Sequence, residues 1–222
     1  MKKKTLVIFG LADLGQLAHF YFNQDTEYEV IAFTIDAAFI TETKFCGLPV
    51  VAFEKITELY PPSENEFFVA LGYSKVNAVR KEKYLAAKSL GYSMASYISP
   101  RATILNQGKI GDNCFILEDS TIQPFVTLGN NVMLWSGNHI GHHTTIQDHC
   151  FIASHVVISG GVKIGEQCFI GVNATLRDGI KVGEKCVIGA GTLLLGDAEP
   201  EGLYIGSATP RSEWLSTRLK KT

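Results

Sequence analysis

The chain has 222 residues, a formal net charge of −2 and 19% charged residues, so it carries no electrostatic footprint for nucleic acid. It contains no run of about 18 apolar residues, which removes the expectation of a membrane-spanning helix. Of the five cysteines, all but Cys46 fall in a packing series described below; this argues against a disulfide framework or a zinc knuckle and points to a cytoplasmic protein. The opening MKKKTLVIFG has too short an apolar run for a secretory signal and reads as a buried first strand.

Residues 5–10 (TLVIFG) close on glycine, and LADLGQLAHFYF behind them reads as a helix. EYEVIAFTID, ending at Asp36, is a second strand rich in β-branched and aromatic residues. This unit puts Gly10 and Gly15 at the turn between strand and helix. In a dinucleotide fold such a turn cradles phosphate, and an acid placed like Asp36 accepts ribose hydroxyls. One glycine of GxGxxG is missing, so the two present serve a tight turn without a ligand equally well. GLPVVAF (47–53) and FFVALG (67–72) are two further strands. The segment after Gly72 is a helix whose lysines and arginine form a solvated face, with Lys75 and Arg80 toward the pocket side. Strands alternating with helices imply a small parallel, Rossmann-like α/β domain over residues 1–95.

From Ile98 a different period takes over. Stepping by six, the chain meets Ile104, Ile110, Ile116, Ile122 and so on to Ile188 and Leu194 without a slip of phase. Four residues after each comes a second, mostly small series that includes Cys114, Cys150, Cys168 and Cys186. Neither a helix nor a plain strand has this period; a hexapeptide repeat does, and it means a parallel β-helix. Each hexad is one side of a triangular coil, eighteen residues make a turn, and coils about 4.8 Å apart give a prism roughly 25 Å long over residues 96–196. Phe115, Phe125, Met133, Trp135, Phe151 and Phe169 would then lie on outer faces, and apolar faces of this kind mark interfaces, here three prisms around a threefold axis. Residues 197–222 read as a tail with a short basic helix.

Five histidines fall between residues 139 and 155: His139, His142, His143, His149 and His155. The phase places His142 third in its hexad, pointing outward, while His143, His149 and His155 are each fourth in theirs. Gly160 lies eighteen residues after His142, one coil on. A base beside an unobstructed backbone N–H is what acyl transfer needs, one group for the nucleophile and one for the oxyanion. Paired glycines relieving a corner would explain Gly160–Gly161 without chemistry. A zinc site of the γ-carbonic-anhydrase kind needs three converging histidines, and no two here share a stacked column. Asn138, polar yet in the inward series, needs partners.

NHIGHHTTIQDHCFIASHVVISGGVKIGEQCFIG, IGAGTLLL and YIGSATPRS, with the α/β domain in front, resemble the left-handed β-helix acyltransferases of the sialic acid O-acetyltransferase family. These include N-acetyltransferases of nucleotide-linked 4-amino-4,6-dideoxy sugars used in bacterial surface glycans. The resemblance implies a mainly β, α+β chain with a left-handed coil. It implies acetyl-CoA as cosubstrate without a metal, and a homotrimer with active sites between subunits. A nucleotide-linked amino sugar would sit on the N-terminal domain. His142 becomes the general base with His143 beside it, and Gly160 the amide at the acetyl group. Phe151, Val172 and Ala190 become contacts of acetyl-CoA. Gly10, Ala12, Asp13, Leu14 and Asp36 become contacts of the nucleotide, with Trp135 and Asn138 near the sugar. The chain departs from the family in three places: His143 replaces the usual acid, Trp135 replaces an asparagine, and the turn is GLADLG. O-acetylation by the same machinery is the close alternative; a sugar-nucleotide-binding module without turnover is the distant one.

Overall fold

The computed structural model describes residues 4–214 and residue 217. The N-terminal domain holds β1 (Lys4–Phe9), α1 (Asp13–Asp25), β2 (Tyr28–Ile35), β3 (Lys44–Phe45), β4 (Leu48–Ala52), a one-turn α2 (Ile56–Leu59), β5 (Asn65–Val69) and α3 (Ala78–Ser89). The sheet order is β3-β4-β2-β1-β5 and the pairing is parallel except at β3. The short β3 escapes the sequence reading. It is a two-residue antiparallel edge joined to β4 through Cys46 and Gly47, both with positive φ, a hairpin turn conformation.

Helix α3 begins later than the sequence predicts. Between β5 and α3 the backbone makes a left-handed turn through Lys75, Val76 and Asn77, with φ of 51°, 50° and 65°. Left-handed backbone costs an L-residue roughly 1–2 kcal/mol, so such a turn persists only where its surroundings over-determine it. Here the Asn77 amide donates to the carbonyls of Gln167 and Cys168, while Arg80 holds Asn77 Oδ1 and the Gly72 carbonyl.

From Tyr97 the chain winds into a left-handed parallel β-helix. Each side is a two-residue strand, and strands eighteen residues apart pair in parallel: Phe115, Met133 and Phe151 on one face, Thr121, His139 and Val157 on the second, Thr145, Lys163 and Lys181 on the third. The aliphatic ladder fills the interior from Ile116 to Ile188 together with Cys114, Cys150, Cys168 and Cys186, all buried free thiols. The first rungs, Ile98, Ile104 and Ile110, are less covered because no full coil lies before them. The coil also carries on past Leu195, where the sequence reading stops it: Ala198 bridges to Val182 and Leu203–Tyr204 pairs with Val187–Ile188. The basic helix expected in the tail falls mostly on residues outside those described.

Every sixth residue turns a corner with positive φ, from Gln107 and Asn113 through Phe125, Asn131, Gly137, His143, His149, His155 and Gly161 to Gly191. Asn, Asp, His and Gly tolerate this conformation best. Three of the five clustered histidines therefore have a backbone reason to be where they are.

The apolar outer face is covered by the chain's own α/β domain, where the sequence reading expected neighbouring prisms. Tyr97, Phe115, Met133 and Phe151 are buried against Leu6, Ile8, Phe22 and Phe68 of the α/β domain, in one continuous core. Of the six outward apolar residues named from the sequence, Phe125, at a corner, is the exposed one. The basic side of α3 is likewise no solvated face. Lys81 pairs with Glu166 at 2.8 Å and Lys88 with Asp112 at 2.6 Å, both across to the coil. Arg80 is 0% exposed. Its guanidinium donates to Gly72 O, Asn77 Oδ1, Asn131 Oδ1, His149 O and Cys150 O at 2.8–3.2 Å. Burial draws it down to about 9, so it stays protonated at neutral pH. A planar fork of donors suits an array of carbonyls that an ammonium could not satisfy together.

Candidate active site

His142 lies in the corner that follows the His139–Ile140 strand, exposed and pointing outward at the edge rather than on the flat face. Its backbone N–H donates to Gln123 Oε1 at 2.8 Å, and its Nδ1 is 3.0 Å from Nδ1 of His143. Below it is Gly160. A Cβ there would come within 2.6 Å of His142 Cε1 and 2.8 Å of Nε2, so only glycine leaves room for the ring. The backbone bonds on either side are Gly141 N–H to Ile158 O and Gly161 N–H to His142 O; among the described residues the Gly160 N–H meets no acceptor. The corner thus brings a solvent-facing imidazole onto an unobstructed backbone with a free amide.

His149 and His155 have structural employment. His149 is buried, with Nδ1 2.9 Å from Asn131 Nδ2 and its ring against Tyr84. Burial, partly offset by Glu166, draws it down to about 4. His155 covers Gly137 at the corner opposite, where a Cβ would meet its Nδ1 at 2.5 Å. Among the described residues no three His, Cys, Asp or Glu side chains of this chain converge to hold a metal ion.

Two expected site residues are misplaced by the sequence reading. Phe151, expected against acetyl-CoA, is 3% exposed beneath the α/β domain, with Tyr73 at 5.1 Å and Phe169 stacked at 5.7 Å between ring centroids. It belongs to the domain junction. Asn138, expected at the sugar, is 1% exposed. Its Oδ1 accepts from Val156 N–H at 2.8 Å and its amide bonds the Trp135 carbonyl, so it braces the corner before the His139 strand. Trp135 is half-buried, 6.1 Å from Phe151 between ring centroids, and its indole Nε1 has no partner among the described residues.

Val172 and Ala190 are exposed in the corners that precede the histidine face, whereas His142 and Gly160 occupy the corners that follow it. One chain therefore holds the two groups on opposite edges of a face. Concavities of about 560 Å³ on the lysine face and about 700 Å³ beside Tyr60 and Glu64 are lined by other residues.

In the α/β domain, Gly10 and Asp36 follow the adjacent parallel strands β1 and β2, at the carboxyl ends where such sheets take ligands. Both turn glycines are required by packing: a Cβ on Gly10 would meet Ala70 O at 2.6 Å, and one on Gly15 would meet Gly10 O at 2.2 Å. Ala12 and Asp13 are exposed, while the Leu14 side chain is buried in the core, leaving only its backbone to face a ligand. Asp13 puts its carboxylate in the first turn of α1, where a phosphate would otherwise gain from the helix N-terminus. Asp36 is held by Lys83 at 2.8 Å, a lysine that also lies over the rings of Phe9 and Phe53.

Comparison with known proteins adds to this geometry. Residues 107–141 and 125–160 match the bacterial transferase hexapeptide (six repeats), and residues 161–195 match the hexapeptide repeat of succinyl-transferase. No curated protein matches the chain in sequence. Among solved structures it is similar to a histidine-to-asparagine mutant of perosamine N-acetyltransferase from Caulobacter crescentus, in complex with CoA and GDP-perosamine. That match has a TM-score of 0.82 and 23% identity over 91% of this chain and 93% of the other. The acetyltransferase domain of PglB from Neisseria gonorrhoeae FA1090, in complex with acetyl coenzyme A, matches with a TM-score of 0.82 and 24% identity over 92% and 97%. WeeI from Acinetobacter baumannii AYE matches with a TM-score of 0.77 and 16% identity over 91% and 96%.

The chain is therefore a left-handed β-helix protein carrying transferase-type hexapeptide repeats. More particularly, it has the two-domain fold in which a small α/β domain covers one face of the coil.

Proposed function

We propose that the protein is an acetyl-CoA-dependent N-acetyltransferase acting on a nucleotide-linked amino sugar, such as a 4-amino-4,6-dideoxyhexose, in bacterial surface-glycan biosynthesis. The observation that carries this reading is His142 seated on Gly160 beside a free backbone amide. The uncharged amine attacks the thioester carbonyl, a C–N bond forms and the C–S bond breaks. His142 accepts the proton the amine loses and returns it to the departing thiolate. The Gly160 N–H donates to the oxyanion that develops on the carbonyl oxygen. The fold is that of proteins whose solved complexes hold CoA and GDP-perosamine.

Acetyl-CoA would lie along Val172 and Ala190 of one subunit and reach His142 of another, because one chain keeps these groups on opposite edges of a face. This placement supports sites between subunits, and the family resemblance implies that the assembly is a homotrimer. The nucleotide would lie at Gly10, Ala12, Asp13 and Asp36, with Trp135 toward the sugar.

The test is thiol release from acetyl-CoA with dTDP-, UDP- and GDP-linked 4-amino sugars, with mass spectrometry of the product. Amide formation that is lost in His142→Ala while CoA still binds supports the reading. An ester product would convert it to O-acetylation, and full turnover by His142→Ala would refute the mechanism.

A further inference from the structure

The proposed site contains a pairing with no carboxylate in it. His142 and His143 are neighbours with perpendicular rings (85°) and Nδ1 atoms 3.0 Å apart. At that distance one Nδ1 carries the proton and the other offers its lone pair. The two choices are not equivalent, because a neutral imidazole has a single N–H. If His142 holds the shared proton on Nδ1, its Nε2 is bare and can act as a base. If His143 holds it, His142 must keep its own proton on Nε2 and has nothing to offer an amine.

The structure also holds His143 in place. It turns the corner with φ of 59°, and Phe125, eighteen residues earlier, packs on its ring with centroids 4.7 Å apart. Phe125 is 58% exposed, has φ of 66° itself and has no part in the acetyl transfer described above. On the other side, Gln123 and Gly160 fix His142. The pair is thus buttressed from both coils that flank it.

We propose that His143, steadied by Phe125, is a positioning residue that accepts the Nδ1 proton of His142 and so keeps Nε2 of His142 bare for the acceptor. This rests on the reading of His142 as the base. When Nε2 takes the amine's proton, His142 Nδ1–H becomes a charged donor to His143 Nδ1, and bonds of that kind are the stronger ones. Nothing is consumed: the proton leaves Nε2 again for the thiolate.

Histidine ¹⁵N NMR of the whole protein at alkaline pH reads the tautomer directly. Wild type is expected to show His142 as the Nδ1–H form, and His143→Phe to move it toward the Nε2–H form that an unpaired imidazole prefers. In turnover, His143→Phe is expected to lower kcat roughly tenfold or more while KM for acetyl-CoA changes by less than about twofold. His143→Asn, which tolerates the left-handed corner and offers Oδ1 as acceptor, is expected to restore most of kcat. A wild-type kcat in His143→Phe overturns the inference while leaving His142 as base; an Nε2–H tautomer in wild type overturns it and leaves His142 no bare Nε2 to act with. Wild-type turnover by His142→Gln would instead remove the base assignment itself. Should no amino sugar turn over, the tautomer measurement decides alone.

Discussion

Gly160 supplies the floor on which the His142 imidazole rests, since a Cβ at that position would lie 2.6–3.0 Å from Cε1, Nε2 and Nδ1 together. Gly160 is not at a positive-φ corner, in contrast to Gly161 at +70°. Alanine is therefore acceptable to the backbone, and only the mobile ring has to move. Gly160→Ala is expected to keep the melting temperature within a few degrees of wild type while lowering kcat about 100-fold through misplacement of base and amide. A steady-state assay beside a thermal melt checks this, and an unchanged kcat would remove Gly160 from the site.

Arg80 links the domains by donating to Asn131, His149 and Cys150 of the coil. Arg80→Met keeps much of the side-chain volume but leaves the carbonyls of Gly72 and His149 and the Oδ1 of Asn77 without a donor. Each buried unsatisfied group costs about 1–3 kcal/mol, so a loss of about 3 kcal/mol or more is expected in urea unfolding. Arg80→Lys should recover only part of it, since one ammonium cannot serve all these acceptors.

His149 makes the junction sensitive to acid. Its folded value near 4 lies below the ordinary 6.5, so the unfolded chain binds more protons between those pH values. The stability it contributes is complete above about 6.5 and is lost as pH falls toward 4, up to on the order of 3 kcal/mol. His149→Asn, at a corner with φ of 64° that asparagine accepts, should flatten this dependence. Denaturant midpoints at pH 7 and pH 4.5 for the two proteins give the comparison, and parallel losses would contradict the assignment.

Trp135 buries an indole N–H without a partner among the described residues. Trp135→Phe removes that cost and is expected to leave the free protein as stable or about 1 kcal/mol more so. If the N–H serves the acceptor sugar, the same variant raises KM for the acceptor and leaves KM for acetyl-CoA alone. Equal KM values for both substrates would show that Trp135 only packs.

The hexad phase, read from residues alone, specifies the coil because burial repeats with it. One rung in six must be aliphatic to fill the interior, and a small residue must follow four later. The same phase places His142 one coil from Gly160, as stacking at strand spacing requires. It also sorts the cysteines into the interior, where burial pushes Cys114 up to about 12 and leaves it inert. Gln123 was within reach of this logic, nineteen residues before His142, but amide side chains at corners are too common to single out.

What the phase does not contain is which face is covered. Phe115, Met133 and Phe151 carry the same outward signal whether a neighbouring chain or the chain's own α/β domain lies on them. The answer depends on packing between segments far apart in sequence, down to an Arg80 that looks like any surface residue of a charged helix. The same holds for Asn138, whose partners Trp135 and Val156 are set by corner geometry. Periodicity thus determined the coil and the His142–Gly160 pair, because both follow from stacking along one axis. Tertiary contact decided the covered face, the left-handed turn before α3 and the partner of each polar group, because these depend on surfaces that meet only after the coil has formed.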